Sequence, residues 1–316
     1  MVRLIVQRFL SSAVTLALLT VFVFFAVELL PGDTCTAYLG RDAKGDRLEN
    51  CRENMGLNRP AVERFADWAS GAVVGDFGVS PYRNKPVSEI VGWRMRNTIV
   101  LALAASAFGI PLAIFLGILA GIRRDRPVDM ALSSTSILAM TVPEFVSATL
   151  LILVFSISLG WTSGVVTAQA DAPIGVLLGS TVLPTVALAL VFAAHILRMV
   201  RSSVIDVMES EYVAMARLKG LPFRWILLHH VLPNSLLPAI NVIGLTVAWL
   251  LGGVVVIESV FNYPGLGRLA VDAVADRDLP LTQCIVLILA TCYIGTNLVT
   301  DLASLLLNPR LRTFRG

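Results

Sequence analysis

Residues 211–233 read EYVAMARLKGLPFRWILLHHVLP and place a polar, amphipathic stretch between two apolar runs of membrane length. A short helix with one apolar face is predicted from the spacing of four residues, Val213, Met215, Ala216 and Leu218. Gly220 is the residue type that commonly ends a helix, and Pro222 stands where a new helix would begin. The stretch therefore predicts two short helices joined at a tight corner. Such a corner is a rigid projection, well placed to receive a push from another protein.

The composition is typical of a membrane protein. Hydrophobic residues make up 56% of the 316 residues and charged residues only 15%, whereas ordinary soluble domains carry about 25% charged residues. An apolar run of about 20 residues can cross a bilayer, and it must do so as a helix. Six runs meet this condition, at residues 9–30, 99–122, 130–158, 176–197, 232–257 and 281–307. The predicted fold class is therefore an all-α integral membrane protein with six transmembrane helices. The first is expected to be retained, because its apolar core exceeds that of a signal peptide.

Lys and Arg are concentrated in the short loops on one side of the predicted membrane. These residues are Arg3, Arg8, Arg123, Arg124, Arg126, Arg198, Arg201, Arg217, Lys219, Arg224, Arg310, Arg312 and Arg315. The opposite short loops offer Arg268 and Arg277. The positive-inside rule therefore predicts that both termini and the Gly220 corner are cytoplasmic. Residues 31–97 are then extracytoplasmic.

The extracytoplasmic segment is too long for a bare turn. Residues 60–74 are predicted to form an amphipathic helix. Cys35 and Cys51 lie 16 positions apart in this segment, where oxidation is possible. They are either a disulfide or two free thiols, and we predict the disulfide.

Polar residues inside the predicted spans mark a pathway or a structural contact. Glu144 directly follows Pro143 in the third span, where a carboxylate is costly unless it faces a cavity or a partner. It either lines a substrate pathway or hydrogen-bonds at the Pro143 kink. Asn241 is a second pathway candidate. Asp301, near the cytoplasmic end of the last span, is expected to pair with Arg198 or Arg201.

Several stretches resemble the permease subunits of bacterial ABC importers, in the branch that carries peptides and nickel. One is the 211–233 stretch, with Ala214-Met215-Ala216, Gly220 and Leu232-Pro233 at the positions of the family's cytoplasmic coupling motif. Ala214 stands where such permeases often have Glu. The other stretches are Ile137–Trp161, Glu258–Leu269 (ESVFNYPGLGRL) and Asp301–Arg312. The resemblance covers the chain from about Asn97 to its end.

The resemblance implies a type I ABC-importer permease fold. Its transmembrane domain would span 98–308, with coupling helices at about 203–225, after a first helix at 1–30 and an extracytoplasmic segment at 31–97. Residues 309–316 would form a cytoplasmic tail. The residues expected to contact an ATPase subunit are Glu211, Tyr212, Ala214, Met215, Ala216, Arg217 and Gly220. A periplasmic gate or receptor-side loop is expected at Phe261, Tyr263, Pro264, Gly265 and Gly267. The two aromatic residues there also suit an interfacial aromatic belt.

The implied partners are a second homologous permease subunit, two ATPase subunits and a periplasmic or lipid-anchored substrate-binding protein, all in the bacterial inner membrane or on it. No nucleic acid is implied. The relatives' solutes are di- and oligopeptides, nickel chelates, glutathione, opines and some sugars, and nothing in this sequence separates these classes.

Catalytic motifs are not found in the sequence. A phosphate-binding loop needs Gly-Lys followed by Ser or Thr, but Lys44, Lys85 and Lys219 are followed by Gly or Pro. ATP and Mg²⁺ are therefore expected on the partner subunits, with no cofactor and no metal on this chain. Two other functional classes are alternatives to the permease. A self-sufficient secondary transporter would need intramembrane ion ligands and an inverted repeat. A membrane-embedded hydrolase would need an active-site constellation, and none stands out in the sequence.

Overall fold

Helices make up nearly all of the regular structure. The computed structural model describes residues 2–29 and 32–307, apart from some side chains within those ranges. The α-helices are α1 (Val2–Glu28), α2 (Thr34–Leu39), α3 (Gly45–Asn54), α4 (Ala61–Val73), α5 (Val87–Ile122), α6 (Pro127–Thr141), α7 (Glu144–Leu151), α8 (Ile174–Ser180), α9 (Val182–Met208), α10 (Glu211–Leu218), α11 (Phe223–Ile226), α12 (Leu232–Val260), α13 (Leu266–Ala275) and α14 (Leu279–Leu307). A 3-10 turn covers Gly40–Asp42, and π-helical segments cover Ile152–Ser158 and Leu227–Val231. Strands β1 (Val79–Ser80) and β2 (Lys85–Pro86) pair antiparallel.

Four helical stretches in the described chain are long and apolar enough to cross a membrane by themselves: Val6–Ala26, Val87–Ile122, Val182–Met208 and Leu279–Leu302. Two further stretches reach the length only as bent pairs, Pro127–Thr141 with Glu144–Ser158 and Phe223–Leu236 with Pro238–Val247. Counting each pair as one span gives six. The all-α membrane fold predicted from the sequence is confirmed.

The third predicted span is not straight. Helices α6 and α7 meet at an angle of 109°, so the run 130–158 consists of two segments. Val142 is extended, with φ −79° and ψ 124°, as expected for a residue before proline. Pro143 also lacks the N–H that would continue helix α6. The fourth predicted span is likewise divided at Thr181, between short α8 and long α9.

The second span begins earlier than predicted. Helix α5 starts at Val87 rather than at residue 99, so its first turns project beyond the apolar run. Val87 and Val91 are buried there against Leu266 and Leu269 of α13. This packing stabilises a helix that the polar sequence of 87–97 did not suggest.

Close contact between α5 and α9 forms the centre of the bundle. Gly109, Gly117 and Gly121 lie on one side of α5, and a Cβ added at any of them would lie 2.6–2.7 Å from an atom of α9. Small residues at helix contacts let two backbones approach closely in a membrane protein. The main hydrophobic core then extends from this pair to α7 and α12 through residues such as Phe192 and Ile257.

The segment between α1 and α5 packs against the ends of α1 and α14. Phe65 and Trp68 of α4 lie 5.3 and 5.7 Å, centroid to centroid, from Phe24 of α1. The side chain of Ser80 hydrogen-bonds Asp278 at the start of α14. This segment therefore lies at the same end of the bundle as α13, which we call the α13 end. The opposite end of α12 carries α10 and α11, and we call it the α10 end.

A disulfide joins α2 to α3 within this segment. It links Cys35 and Cys51, whose Cα atoms are 5.9 Å apart. Asp33 caps α2, and Arg52 Nε donates to Asp33 Oδ2 at 2.6 Å. Burial raises the pKa of the Asp33 carboxyl, but the Thr36 N–H and the Arg52 guanidinium outweigh this effect and hold that pKa below its usual value.

Candidate functional site

The α10–α11 corner has the geometry that its sequence indicates. Gly220 follows α10 with φ +74°, in the left-handed region that favours glycine. Pro222 is the N-cap of α11, with an extended backbone. Helix α9 ends at Met208, so the predicted coupling range 203–225 contains the last turns of α9 as well as the two short helices.

The apolar residues of α10 do not form one face. Val213 and Ala216 are buried, whereas Met215 is 55% and Leu218 82% exposed. A helix turns by about 100° per residue, so positions 213 and 216 share one side while 215 and 218 share another. Val213 and Ala216 belong to the main hydrophobic core together with Val207, Leu221 and Leu227.

The predicted ATPase-contact residues are brought together on the free surface of this corner, with one correction. Six of them are exposed: Glu211, Tyr212, Ala214, Met215, Arg217 and Gly220. Ala216 is only 6% exposed and fills the core, so its side chain is not available to a partner. The same surface carries four further exposed apolar side chains, which belong to α10, α11 and the π-helical segment that follows α11. They are Leu218, Phe223, Trp225 and Leu228. The sequence shows that these four residues are apolar, but it does not show that they are exposed, so the sequence analysis missed them.

The corner is held firmly by the helices on either side. The Ser203 hydroxyl of α9 donates to the Ser235 carbonyl of α12 at 2.7 Å. Ile226 of α11 and Val231 of the following π-helical segment are both buried in the main core. The corner is therefore continuous with the packing of both α9 and α12.

At the α13 end, the Glu258–Leu269 segment forms a closely packed turn. Phe261 and Tyr263 are both fully buried. Tyr263 donates from its hydroxyl to the Asn97 carbonyl of α5 at 2.8 Å, and the Val166 N–H donates to the Phe261 carbonyl at 2.8 Å. The interfacial aromatic belt predicted for these two residues is therefore wrong, because both rings fill the space between α5, α12 and the 159–173 loop.

Buried polar groups connect this turn to α5. Glu258 is fully buried and accepts from the Thr98 hydroxyl at 2.6 Å and from the Arg268 N–H at 3.0 Å. The Thr98 hydroxyl in turn accepts from the Leu266 N–H at 2.7 Å. The Asn97 amide donates to the Pro264 carbonyl at 2.9 Å. Buried polar groups are costly unless they are satisfied, so this network fixes the turn against α5.

The two glycines of the turn are required by these contacts. A Cβ at Gly265 would overlap the Glu258 carboxylate, and a Cβ at Gly267 would lie 2.6 Å from Val255 Cα. Sequence reasoning selected both glycines and Pro264 as turn residues. It missed Glu258, Asn97 and Thr98, which bind the turn from neighbouring helices.

Glu144 occupies the first position of α7, at the break after Pro143. Its Oε2 atom is buried and has no hydrogen-bond partner among the described residues. At the break the Pro143 carbonyl is satisfied within α7, since Val146 N and Ser147 N both donate to it. The second pathway candidate, Asn241, lies in α12, but its side chain is outside the described residues.

The prediction that Asp301 pairs with Arg198 or Arg201 is wrong. Asp301 Oδ2 lies 3.0 Å from Arg8 Nη1 of α1, and Arg201 pairs with Asp129 of α6. Helix α1 packs against α14, which brings Arg8 within reach, whereas Arg201 is turned toward α6.

The structure is thus a bundle of membrane-length helices with a projecting helical corner at one end and a closely packed turn at the other. Residues 113–313 match the family described as the binding-protein-dependent transport system inner membrane component, and residues 1–102 match the N-terminal component of such systems. The chain belongs to this family of permeases. It is thus a multi-pass inner membrane protein and the permease subunit of an ABC importer that works with other subunits.

Relatives match along almost the whole chain. A probable peptide ABC transporter permease protein, y4tP of Sinorhizobium fredii, is 34% identical over 308 residues, which cover 98% of both chains. The glutathione transport system permease protein GsiC of Escherichia coli is 35% identical over 312 residues, 99% of both chains. A putative peptide permease protein of Brucella suis biovar 1 is 35% identical over 317 residues, again 99% of both. Family membership favours the importer over the secondary transporter and the hydrolase considered above, and these names are those of transport subunits rather than catalysts.

Proposed function

We propose that this chain forms half of the translocation pathway of a peptide importer, together with a second permease subunit of the same fold. Two separate ATPase subunits would bind ATP and Mg²⁺ and drive it, and a periplasmic or lipid-anchored receptor would deliver the solute. The observation that carries the proposal is the exposed apolar surface of the α10–α11 corner. Large exposed apolar patches mark protein contacts, and Tyr212, Met215 and Leu218 are 46%, 55% and 82% exposed.

Movement would pass from the corner into the bundle through packed elements. Closure of the ATPase pair would push α10 and α11, and the buried residues Val213, Ala216 and Ile226 would transmit the push to α9 and α12. Helix α9 would carry α5 with it, because the two helices are in close contact at Gly109, Gly117 and Gly121. The Glu258–Leu269 turn at the far end of α12 would act as the gate on the receptor side.

The proposed orientation places the α10 end in the cytoplasm together with both termini. The Lys and Arg bias of the short loops supports it. The Cys35–Cys51 disulfide supports it independently, because disulfides persist in the periplasm and are rare in the cytosol.

Peptides are the proposed solute class, with glutathione, itself a tripeptide, included. The support is that the relatives are named as peptide and glutathione permeases. Uptake of labelled di- and tripeptides and of glutathione by proteoliposomes that contain the complete complex tests this part. Uptake of none of them would contradict the proposed solute class.

The coupling contact is tested by photo-crosslinking in the assembled transporter. Benzoylphenylalanine in place of Met215 should give a crosslink to an ATPase subunit. The same group in place of Tyr82, which is 57% exposed in the segment before α5, is the control and should give none. A missing crosslink from position 215 in an active complex would contradict the coupling assignment.

Orientation is tested by thiol labelling in spheroplasts. A membrane-impermeant maleimide should label Tyr82→Cys in intact spheroplasts. It should label Leu218→Cys only after permeabilisation. The reverse pattern would overturn the proposed orientation.

A further inference from the structure

A cavity of about 470 Å³ lies at the break between α6 and α7. Residues 139–145 form one side of it, and Val191, His195 and Val256 form the other. Its volume is within the range of about 300–1,000 Å³ that small-molecule sites usually have. The cavity is thus formed by α6, α7, α9 and α12, the last two of which adjoin the α10–α11 corner.

The backbone at this place is irregular within a membrane segment. Helices α6 and α7 are bent by 109° at Val142 and Pro143. Irregular backbone at membrane depth is tolerated only where protein buries it or where it lines a water-filled cavity. The break is therefore either covered by protein or lines a water-filled cavity, and the cavity found beside it fits the second case.

The carboxylate of Glu144 is the charged group of the cavity lining. Its Oε2 atom is buried and lacks a partner among the described residues. A buried carboxylate oxygen without a hydrogen-bond partner is costly. A structural role at the kink would have supplied such a partner. The first turn of a helix stabilises a negative charge, and Glu144 occupies the first position of α7.

His195 borders this cavity and a second one. The second cavity has a volume of about 400 Å³ and is also lined by Phe192, Val242, Leu245, Thr246 and Tyr293. Both cavities therefore adjoin the same side of α9. Polar groups inside membrane segments mark solute pathways, and the residues that line the two cavities include Glu144, His195, Thr246 and Tyr293.

We infer that the cavity at the α6–α7 break is a solute subsite that binds the protonated amino group of the imported peptide, with Glu144 as its counter-ion and His195 at the exit toward the second cavity. The inference rests on the proposed function, because it takes a peptide as the solute. It adds a position for the amino terminus that the family assignment does not give. A protonated amine would give Oε2 the partner that it lacks, because it carries a positive charge and hydrogen-bond donors.

Chemical labelling tests the subsite without reading transport activity. The complete transporter in nanodiscs is treated with dicyclohexylcarbodiimide, which forms adducts with carboxyl groups in apolar surroundings, and the adduct at Glu144 is quantified by peptide mass spectrometry. Trialanine should protect Glu144 from labelling at least several-fold. N-acetyl-trialanine, which lacks the amino charge, and sodium chloride at the same concentration should not protect it.

Each other outcome contradicts the inference in a distinct way. Equal protection by both peptides would mean that the cavity binds peptide without using its amine, and protection by sodium would indicate a general cation site. An unprotected adduct would overturn the subsite even if the wild-type complex imports trialanine. Import of trialanine is measured in parallel, so that failure of the proposed function remains distinguishable from failure of the subsite.

Uptake kinetics give a second readout. Glu144→Gln keeps the size and one acceptor oxygen but removes the charge and replaces the other oxygen with an NH2 donor. The KM for trialanine should therefore rise about tenfold or more, since a hydrogen bond to a charged group typically contributes that much. Glu89→Gln is the matched control, because Glu89 is exposed at the start of α5 and pairs with Lys85. An unchanged KM in the Glu144→Gln transporter would overturn the role of the carboxylate.

Discussion

Arg201 and Asp129 join α9 to the beginning of α6 through a two-pronged ion pair, with Arg201 Nη2 2.7 Å from Asp129 Oδ2 and Nε 2.5 Å from Oδ1. Asp129 is only 2% exposed and also accepts from the Asp125 N–H at 3.0 Å and the Ser133 hydroxyl at 3.2 Å. The loop between α5 and α6 is thus attached to the helix that leads into the α10–α11 corner.

Removing the charge of Asp129 should destabilise this connection. Breaking a buried ion pair costs roughly 3–5 kcal/mol, and we expect Asp129→Asn to reach the lower end because the Arg201 side chain is 28% exposed. The measurement is thermal unfolding of the purified complex followed by tryptophan fluorescence.

Glu209→Gln is the matched control for that variant. Glu209 pairs with Arg124 and so links the same loop to the end of α9, but this pair is exposed. Exposed pairs contribute about 0–1 kcal/mol, so the midpoint should hardly change. Equal destabilisation by the two variants would contradict a special role for the buried pair.

A side chain at Gly220 should impair coupling through backbone strain. Nothing lies within 4 Å of a Cβ added there, so space does not limit substitution, but φ is +74°. A β-branched residue in this conformation costs about 1–3 kcal/mol. We therefore expect Gly220→Val to lower receptor-stimulated ATPase activity and uptake while the subunit still inserts into the membrane.

Gly220→Asn distinguishes strain from loss of the glycine as such. Asn tolerates the left-handed region better than other side chains, so this variant should keep most of the coupling. Full activity of Gly220→Val would show that the corner does not depend on its left-handed residue.

Local features of the chain were predictable, because they depend on residues close together in sequence. Gly220 and Pro222 determine the corner whatever surrounds them, and the 60–74 pattern gave helix α4 nearly residue for residue. The side of α10 that is buried was not predictable, because Ala216 is covered by elements distant in sequence.

Tertiary contacts account for the other differences. Pro143 indicated a kink, but the angle of 109° depends on how α7 packs against α9 and α12. Phe261 and Tyr263 stand near the end of a span, where aromatic residues occur both in belts and in cores. Only the contact with Asn97 and the 159–173 loop places them in the core.

The Cys35–Cys51 disulfide should stabilise the segment between α1 and α5. Closing a loop of this length contributes about 3 kcal/mol in the chain-entropy model. Cys35→Ser should therefore make the segment more sensitive to limited proteolysis, with little effect on the bundle. Mass spectrometry of nonreduced peptides measures the bond directly, and alkylation of both cysteines without reductant would disprove it.

Gly265→Ala should disrupt the turn at the α13 end. The added methyl group would overlap the Glu258 carboxylate, which is held by the Thr98 hydroxyl and the Arg268 N–H and cannot move without losing them. Overpacking of a closely packed site typically costs about 1–3 kcal/mol. We expect a lower unfolding midpoint and, if the turn is the receptor-side gate, ATPase activity that no longer depends on the receptor.

Gly179→Ala is the control, since nothing lies within 4 Å of its added Cβ, and it should leave both measurements unchanged. A Gly265→Ala complex with normal stability and normal receptor dependence would show that the turn accommodates a side chain and does not act as a tightly packed gate.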